Sequence, residues 1–213
     1  MKTKTSILTA VVALAGASAM AQVYSQNVVG YVNVTVPTGF SMIANQLQAT
    51  NHTIASLMPT VPDGTTVYKW TGTTFASYVF DGLDNAWTPN GTATLAPGEG
   101  VFIRNSSGSP FTVTFVGEVL QGSQTNSLPA GFSIVSSKVP QGTNVNALGF
   151  PAVDGATIYK YVNNGSGGGA YVSSTYDGLD GAWLPTTPNL AVGESFWARM
   201  PSSAAWTRTF NVN

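Results

Sequence analysis

Apolar and polar residues alternate along most of this chain. In residues 27–36 (NVVGYVNVTV), Val28, Gly30, Val32, Val34 and Val36 fall on one side, and Asn27, Val29, Tyr31, Asn33 and Thr35 on the other. Successive strand side chains point to opposite faces, so this period predicts a strand with a buried valine face. The stretches 67–70 (VYKW) and 158–161 (IYKY) are β-branched and aromatic with the same period. Residues 75–80 and 171–176 follow them across glycine-containing loops, which predicts two hairpins. Residues 101–104 and 111–115 predict another hairpin across NSSGSP. Helical spacing is confined to two short places. Ile54, Leu57 and Met58 stop at Pro59, and Val145, Leu148 and Phe150 stop at Pro151.

These elements occur twice. PTGFSMIANQL at 37–47 matches PAGFSIVSSKV at 129–139, and DGTTVYKW at 63–70 matches DGATIYKY at 154–161. FDGLDNAW at 80–87 matches YDGLDGAW at 176–183, and LAPGEGVFIR at 95–104 matches LAVGESFWAR at 190–199. TVTF at 112–115 and TRTF at 207–210 close the series. The expected fold class is therefore all-β, as two tandem copies of a small β-sandwich or partly open barrel. Each copy has about five strands and one short helix by the same pattern. Residues 22–122 hold the leading strand and the first unit, and 123–213 hold the second. The stretch 120–128 (LQGSQTNSL) reads as the linker, and FVGEV at 115–119 as the strand that leads into the second unit. Six charge pairs recur in register: Asp63/Asp154, Lys69/Lys160, Asp81/Asp177, Asp84/Asp180, Glu99/Glu194 and Arg104/Arg199. Glu99 and Arg104 bracket one strand with Lys69 on a neighbour, which predicts a repeated salt bridge.

The first residues change the picture of where this fold resides. Lys2 and Lys4 precede an apolar run over Ile7–Ala15, and Ala19-Met20-Ala21 resembles a cleavage site. That pattern predicts a Sec-type bacterial signal peptide over 1–21 and a secreted, extracellular or cell-surface product. The apolar run is too short for a membrane span, and no second run is long enough. Without Lys2 and Lys4, six basic residues face nine acidic ones, a net charge of about −3. A chain with no basic patch is not expected to bind nucleic acid or anionic membranes. It has no cysteine, so no disulfide holds it.

Candidate chemistry is sparse. His52 is the single histidine, no G-x-S-x-G elbow occurs, and zinc or copper would find almost no ligands. GSGGG at 165–169 is followed by no helical pattern, so it is no phosphate cradle. No metal or other cofactor is expected. Asp81, Asp84 and Glu99 could supply the acid pair of a carbohydrate-active enzyme, but turns use the same residues. Calcium would need alternating oxygen ligands, a spacing that D-G-L-D lacks. Sugar binding fits the residue types better. Trp87 and Trp183 could take the C–H face of a pyranose while Asp81, Asp84, Asp177 and Asp180 accept bonds from its hydroxyls, once per unit. The preferred alternative is a structural loop, in which Asp81 and Asp177 close Asx-type turns and the tryptophans fill the core.

The combination GYVNVTVPTGFSMIANQL, DGTTVYKW, GEGVFIRN and TFVGEVLQG resembles exported tandem β-repeat proteins of verrucomicrobial-type bacteria, over nearly the whole chain beyond the signal. The resemblance implies export and a tandem β architecture and carries no activity. The leading functional expectation is a non-enzymatic structural or adhesive protein. A bivalent glycan-binding protein comes second and a carbohydrate-active enzyme third. The leading strand could also mediate self-association by adding to a neighbour's sheet, but the short tether at Pro37 favours pairing in cis.

Overall fold

The computed structural model describes residues 28–212, so the segment expected to be a signal peptide lies outside the described residues, as does Asn27. The fold is all-β. The first half runs β1 (Val29–Val36), β2 (Gly39–Ile43), the short helix α1 (Ile54–Leu57), β3 (Thr66–Trp70), β4 (Phe75–Asp81), β5 (Ala86–Thr88), β6 (Val101–Asn105) and β7 (Phe111–Glu118). The second half begins with β8 (Gly122–Leu128), β9 (Gly131–Val135), β10 (Thr143–Asn144), β11 (Thr157–Asn163) and β12 (Gly169–Asp177). It ends with β13 (Ala182–Leu184), β14 (Asn189–Leu190), β15 (Phe196–Met200) and β16 (Ala204–Phe210).

Two five-stranded antiparallel sheets carry the fold, ordered β2-β6-β3-β4-β5 and β9-β15-β11-β12-β13. Each packs one face under a two-stranded ribbon, β1-β7 in the first half and β8-β16 in the second. The valine face of β1 is buried as its alternation requires, with Val32 and Val36 joining Val113 and Phe115 of β7 over Ile43, Val67 and Ile103. In the second half Leu128 and Trp206 of the ribbon cover Ile158, Phe196 and Ala198. The strand β1 pairs with β7 of the same chain along its full length, Val29 opposite Glu118 and Val36 opposite Phe111.

Several expectations are corrected. The segment 120–128 is no linker, because Gly122–Leu128 forms β8 and pairs with β16 over seven residues. Its polar composition hid a strand whose ladder is fixed by its partner rather than by propensity. FVGEV accordingly belongs to β7 and the first half. The strands β6 and β7 form no hairpin but lie in different sheets. Asn105, almost wholly buried, turns that corner: its amide donates to Val36 O (3.2 Å) and Ser109 O (2.9 Å), and its carbonyl accepts from Ser107 N (2.9 Å). The second half has no counterpart of α1. Asn144 caps Ala147 N at 2.9 Å, much as Thr53 caps Ser56 N at 3.3 Å, but only a single turn follows. Gly149, at φ 74°, ends that turn in the left-handed region.

The halves contact each other reciprocally. Ala44 N donates to Gly193 O at 2.9 Å, and the matching Ser136 N donates to Gly98 O at 3.0 Å. Both acceptor glycines have positive φ, 77° and 97°, which presents their carbonyls to the other half. The bridges Ile43 to Glu194 and Val135 to Glu99 repeat the same relation. The arrangement is a pseudo-two-fold within one chain.

Candidate functional site

The D-G-L-D-x-A-W loops sit between β4 and β5 and between β12 and β13. Asp81 Oδ1 accepts from Leu83 N at 2.9 Å and Asp84 N at 3.3 Å, closing an Asx turn. Asp177 does the same for Leu179 N and Asp180 N, at 2.8 and 3.2 Å. A second carboxylate fastens each loop from outside: Asp63 accepts from Gly82 N, and Asp154 from Gly178 N, both at 2.8 Å. The variable position has positive φ, 51° at Asn85 and 63° at Gly181, which explains why Asn and Gly occupy it.

Trp87 and Trp183 lie inward, only 6 % and 2 % exposed. Trp87 packs on Phe80 and donates its indole N–H to Met58 O at 3.0 Å. Trp183 packs on Phe150 and Tyr176 and donates to Asn146 Oδ1 at 2.9 Å. Neither ring offers a face to a sugar. A hollow of about 390 Å³ beside the first loop has Asp63, Asp81 and Leu83 in its walls, but not Trp87. The structure thus separates the acids from the aromatics that the sugar-binding reading joined. Asp84 and Asp180 are exposed at the loop tips. Glu99 lies in another loop, where Lys69 holds it at 3.1 Å and Ala96 N donates to it at 2.7 Å. Lys160 and Glu194 repeat the pair at 3.0 Å, so the predicted salt bridge occurs in both halves, although Arg104 takes no part. Among the described residues no group of three or more His, Cys, Asp or Glu side chains could hold a metal ion.

The largest chemical feature lies elsewhere, on the sheet faces turned away from the ribbons. There the halves meet across ten aromatic rings, arranged as five matched pairs. Phe40, Tyr68, Trp70, Phe75 and Phe102 of the first half correspond to Phe132, Tyr159, Tyr161, Tyr171 and Trp197 of the second. Their contacts repeat about the pseudo-two-fold. Trp70 meets Trp197 at 5.1 Å between centroids, and its counterpart Tyr161 meets Phe102 at 5.6 Å. Phe40 meets Tyr68 and Phe132 meets Tyr159, both at 6.0 Å. Trp70 meets Phe75 at 5.2 Å, and Tyr161 meets Tyr171 at 5.5 Å. The remaining neighbours close the ten rings into one circuit, in which Phe40 and Phe132 stand opposite each other.

This band opens into two troughs. One, of about 410 Å³, is walled by Trp70, Phe132, Tyr159, Tyr171 and Trp197. The other, of about 340 Å³, is walled by Phe40, Tyr68, Phe75, Phe102, Tyr161 and again Tyr171. Indole N–H groups fix the first trough: Trp70 donates to Phe132 O at 3.1 Å and Trp197 to Tyr171 Oη at 3.2 Å. Burial pushes the Tyr171 phenol up from its ordinary pKa, while the bond from Trp197 works the other way. Phe132 and Tyr171 remain about half exposed, 48 % and 50 %. Exposed apolar surface gathered in one place marks an interaction site more often than scattered residues do.

No family, curated protein or solved structure matches this chain. The band escapes the sequence in part because Tyr68, Trp70, Tyr159 and Tyr161, which flank Lys69 and Lys160, read there as strand formers. The available signal was Y-K-W and Y-K-Y, with aromatic residues two apart on the face opposite the lysine.

Proposed function

We propose that this chain is a non-enzymatic extracellular or cell-surface adhesive protein, and that it holds a glycan on the trough formed by Trp70, Phe132, Tyr159, Tyr171 and Trp197. One observation carries this reading: a preformed, partly open trough walled entirely by aromatic rings. Such rings accept the C–H faces of pyranoses, and the tyrosine hydroxyls supply donors and acceptors to orient them. Catalysis has little support, since the repeated acids Asp63, Asp81 and Glu99 are engaged as turn acceptors or in an ion pair. The ligand-bearing surface is the junction between the halves rather than the D-G-L-D-x-A-W loops.

A glycan array probed with protein beginning at Gln22 tests this. Binding is expected to be lost in Trp197→Ala and Trp70→Ala and retained in Asp84→Asn and Asp180→Asn. Undiminished binding in both tryptophan variants, or no binding to any glycan, would overturn it.

A further inference from the structure

Most of the charges that recur in register are engaged within the chain. Asp63, Asp81 and their counterparts hold the loops, and Lys69 and Lys160 are paired with Glu99 and Glu194. Arg104 and Arg199 differ. Both are exposed, and among the described residues neither lies within ion-pair distance of a carboxylate. Their positions are informative. Arg104 stands directly across the sheet from Phe40, with its guanidinium 5.9 Å from that ring, and Arg199 stands directly across from Phe132. Phe40 and Phe132 are wall residues of the two troughs and occupy opposite points of the aromatic circuit. No acidic side chain is among the walls of either trough. An aromatic floor with an exposed arginine across the sheet from one wall residue of each trough matches a ligand that alternates apolar ring faces with anionic groups.

We infer that the ligand is a polysaccharide bearing repeated carboxylate or sulfate groups, laid across both troughs so that Arg104 and Arg199 each meet one acid. This rests on the glycan reading above and specifies its class. A chain with repeated acids offers one to each arginine, which a monosaccharide with a single acid does not, so the ligand inferred is a chain. The pseudo-two-fold also reverses direction between the troughs, whereas a polysaccharide has a direction. One strand of it therefore meets two different environments, consistent with the unequal pairs Trp197/Phe102, Tyr171/Phe75 and Trp70/Tyr161.

The test is a titration of protein beginning at Gln22 with polygalacturonate, its neutral methyl ester and a sulfated galactan, at low and high salt. The variants are Arg104→Gln, Arg199→Gln and the double, with thermal melts to show that each is folded. Binding to an acidic chain is expected to weaken about threefold to fivefold in each single variant and about tenfold in the double, and to fall with salt. The methyl ester should bind more weakly and alike to all variants. Comparing the uronate and sulfate arms identifies which acid is bound. Equal binding of acidic and neutral chains, indifferent to salt and to the arginines, overturns the inference and leaves the glycan reading standing. No binding to any of the three polymers overturns the inference, and the glycan array above decides the broader reading separately.

Discussion

The D-G-L-D-x-A-W loops and the aromatic band are both present twice, yet they are preserved in different ways. The loops are identical at every position but one, and that one obeys a positive φ. In the band, Phe40/Phe132 and Tyr68/Tyr159 match, while the other pairs exchange one aromatic ring for another. A carboxylate that must accept from a backbone N–H two residues ahead has no substitute of the same length and charge. A ring that packs edge-on against other rings can be replaced by another ring. Identity is thus held at carboxylates that answer to their own backbone and relaxed where one ring packs on another.

The comparison breaks most visibly at the buried end of the loops. Trp87→Ala or Trp183→Ala removes an almost wholly buried indole, and the expected loss of unfolding free energy is about 3–5 kcal/mol in urea denaturation. A loss no larger than that of an average surface substitution would show the tryptophan to be dispensable to the core. Within the same loops the acids should divide. Asp81→Ala and Asp177→Ala are expected to lower stability by about 1 kcal/mol through the lost turn bonds. Asp84→Ala and Asp180→Ala should stay within about 0.5 kcal/mol, and equal effects at both positions would contradict the Asx assignment. The ion pairs come next. Lys69→Met and Lys160→Met should each cost less than about 1 kcal/mol, less still in high salt, because the carboxylates are partly open to solvent.

The smallest effect sharpens the band side. Burial raises the Tyr171 pKa, so the folded protein holds that proton past the pH at which the unfolded chain releases it. Its contribution to stability is therefore intact below the ordinary tyrosine range and declines as pH rises through and beyond it. An ultraviolet titration of wild type minus Tyr171→Phe isolates this phenol. Trp197→Phe should move its ionisation to still higher pH, because the indole N–H that favours the phenolate is gone.

Strands with a strict period were legible, because burial of one face imposes that period: Val32 and Val36 of β1 are buried, and Tyr31 and Thr35 are not. The recurring acids were legible as turn residues for the same local reason. The corner at Asn105 was not, since its partners Val36 and Ser109 are chosen by tertiary placement. The strand β8 was hidden by its polar composition. The band was hidden because its rings come from several strands in both halves, and adjacency such as Trp70 to Trp197 is set by how two sheets meet.

The reciprocal bonds Ala44 N to Gly193 O and Ser136 N to Gly98 O have the form of an isologous dimer interface, but a peptide connection joins its two sides. Association between separate subunits weakens on dilution, and a symmetric pair must carry every substitution twice. A covalently joined pair escapes both constraints. Its halves stay together at any concentration. Each half can also change alone, so Trp197 stands in one half where Phe102 stands in the other.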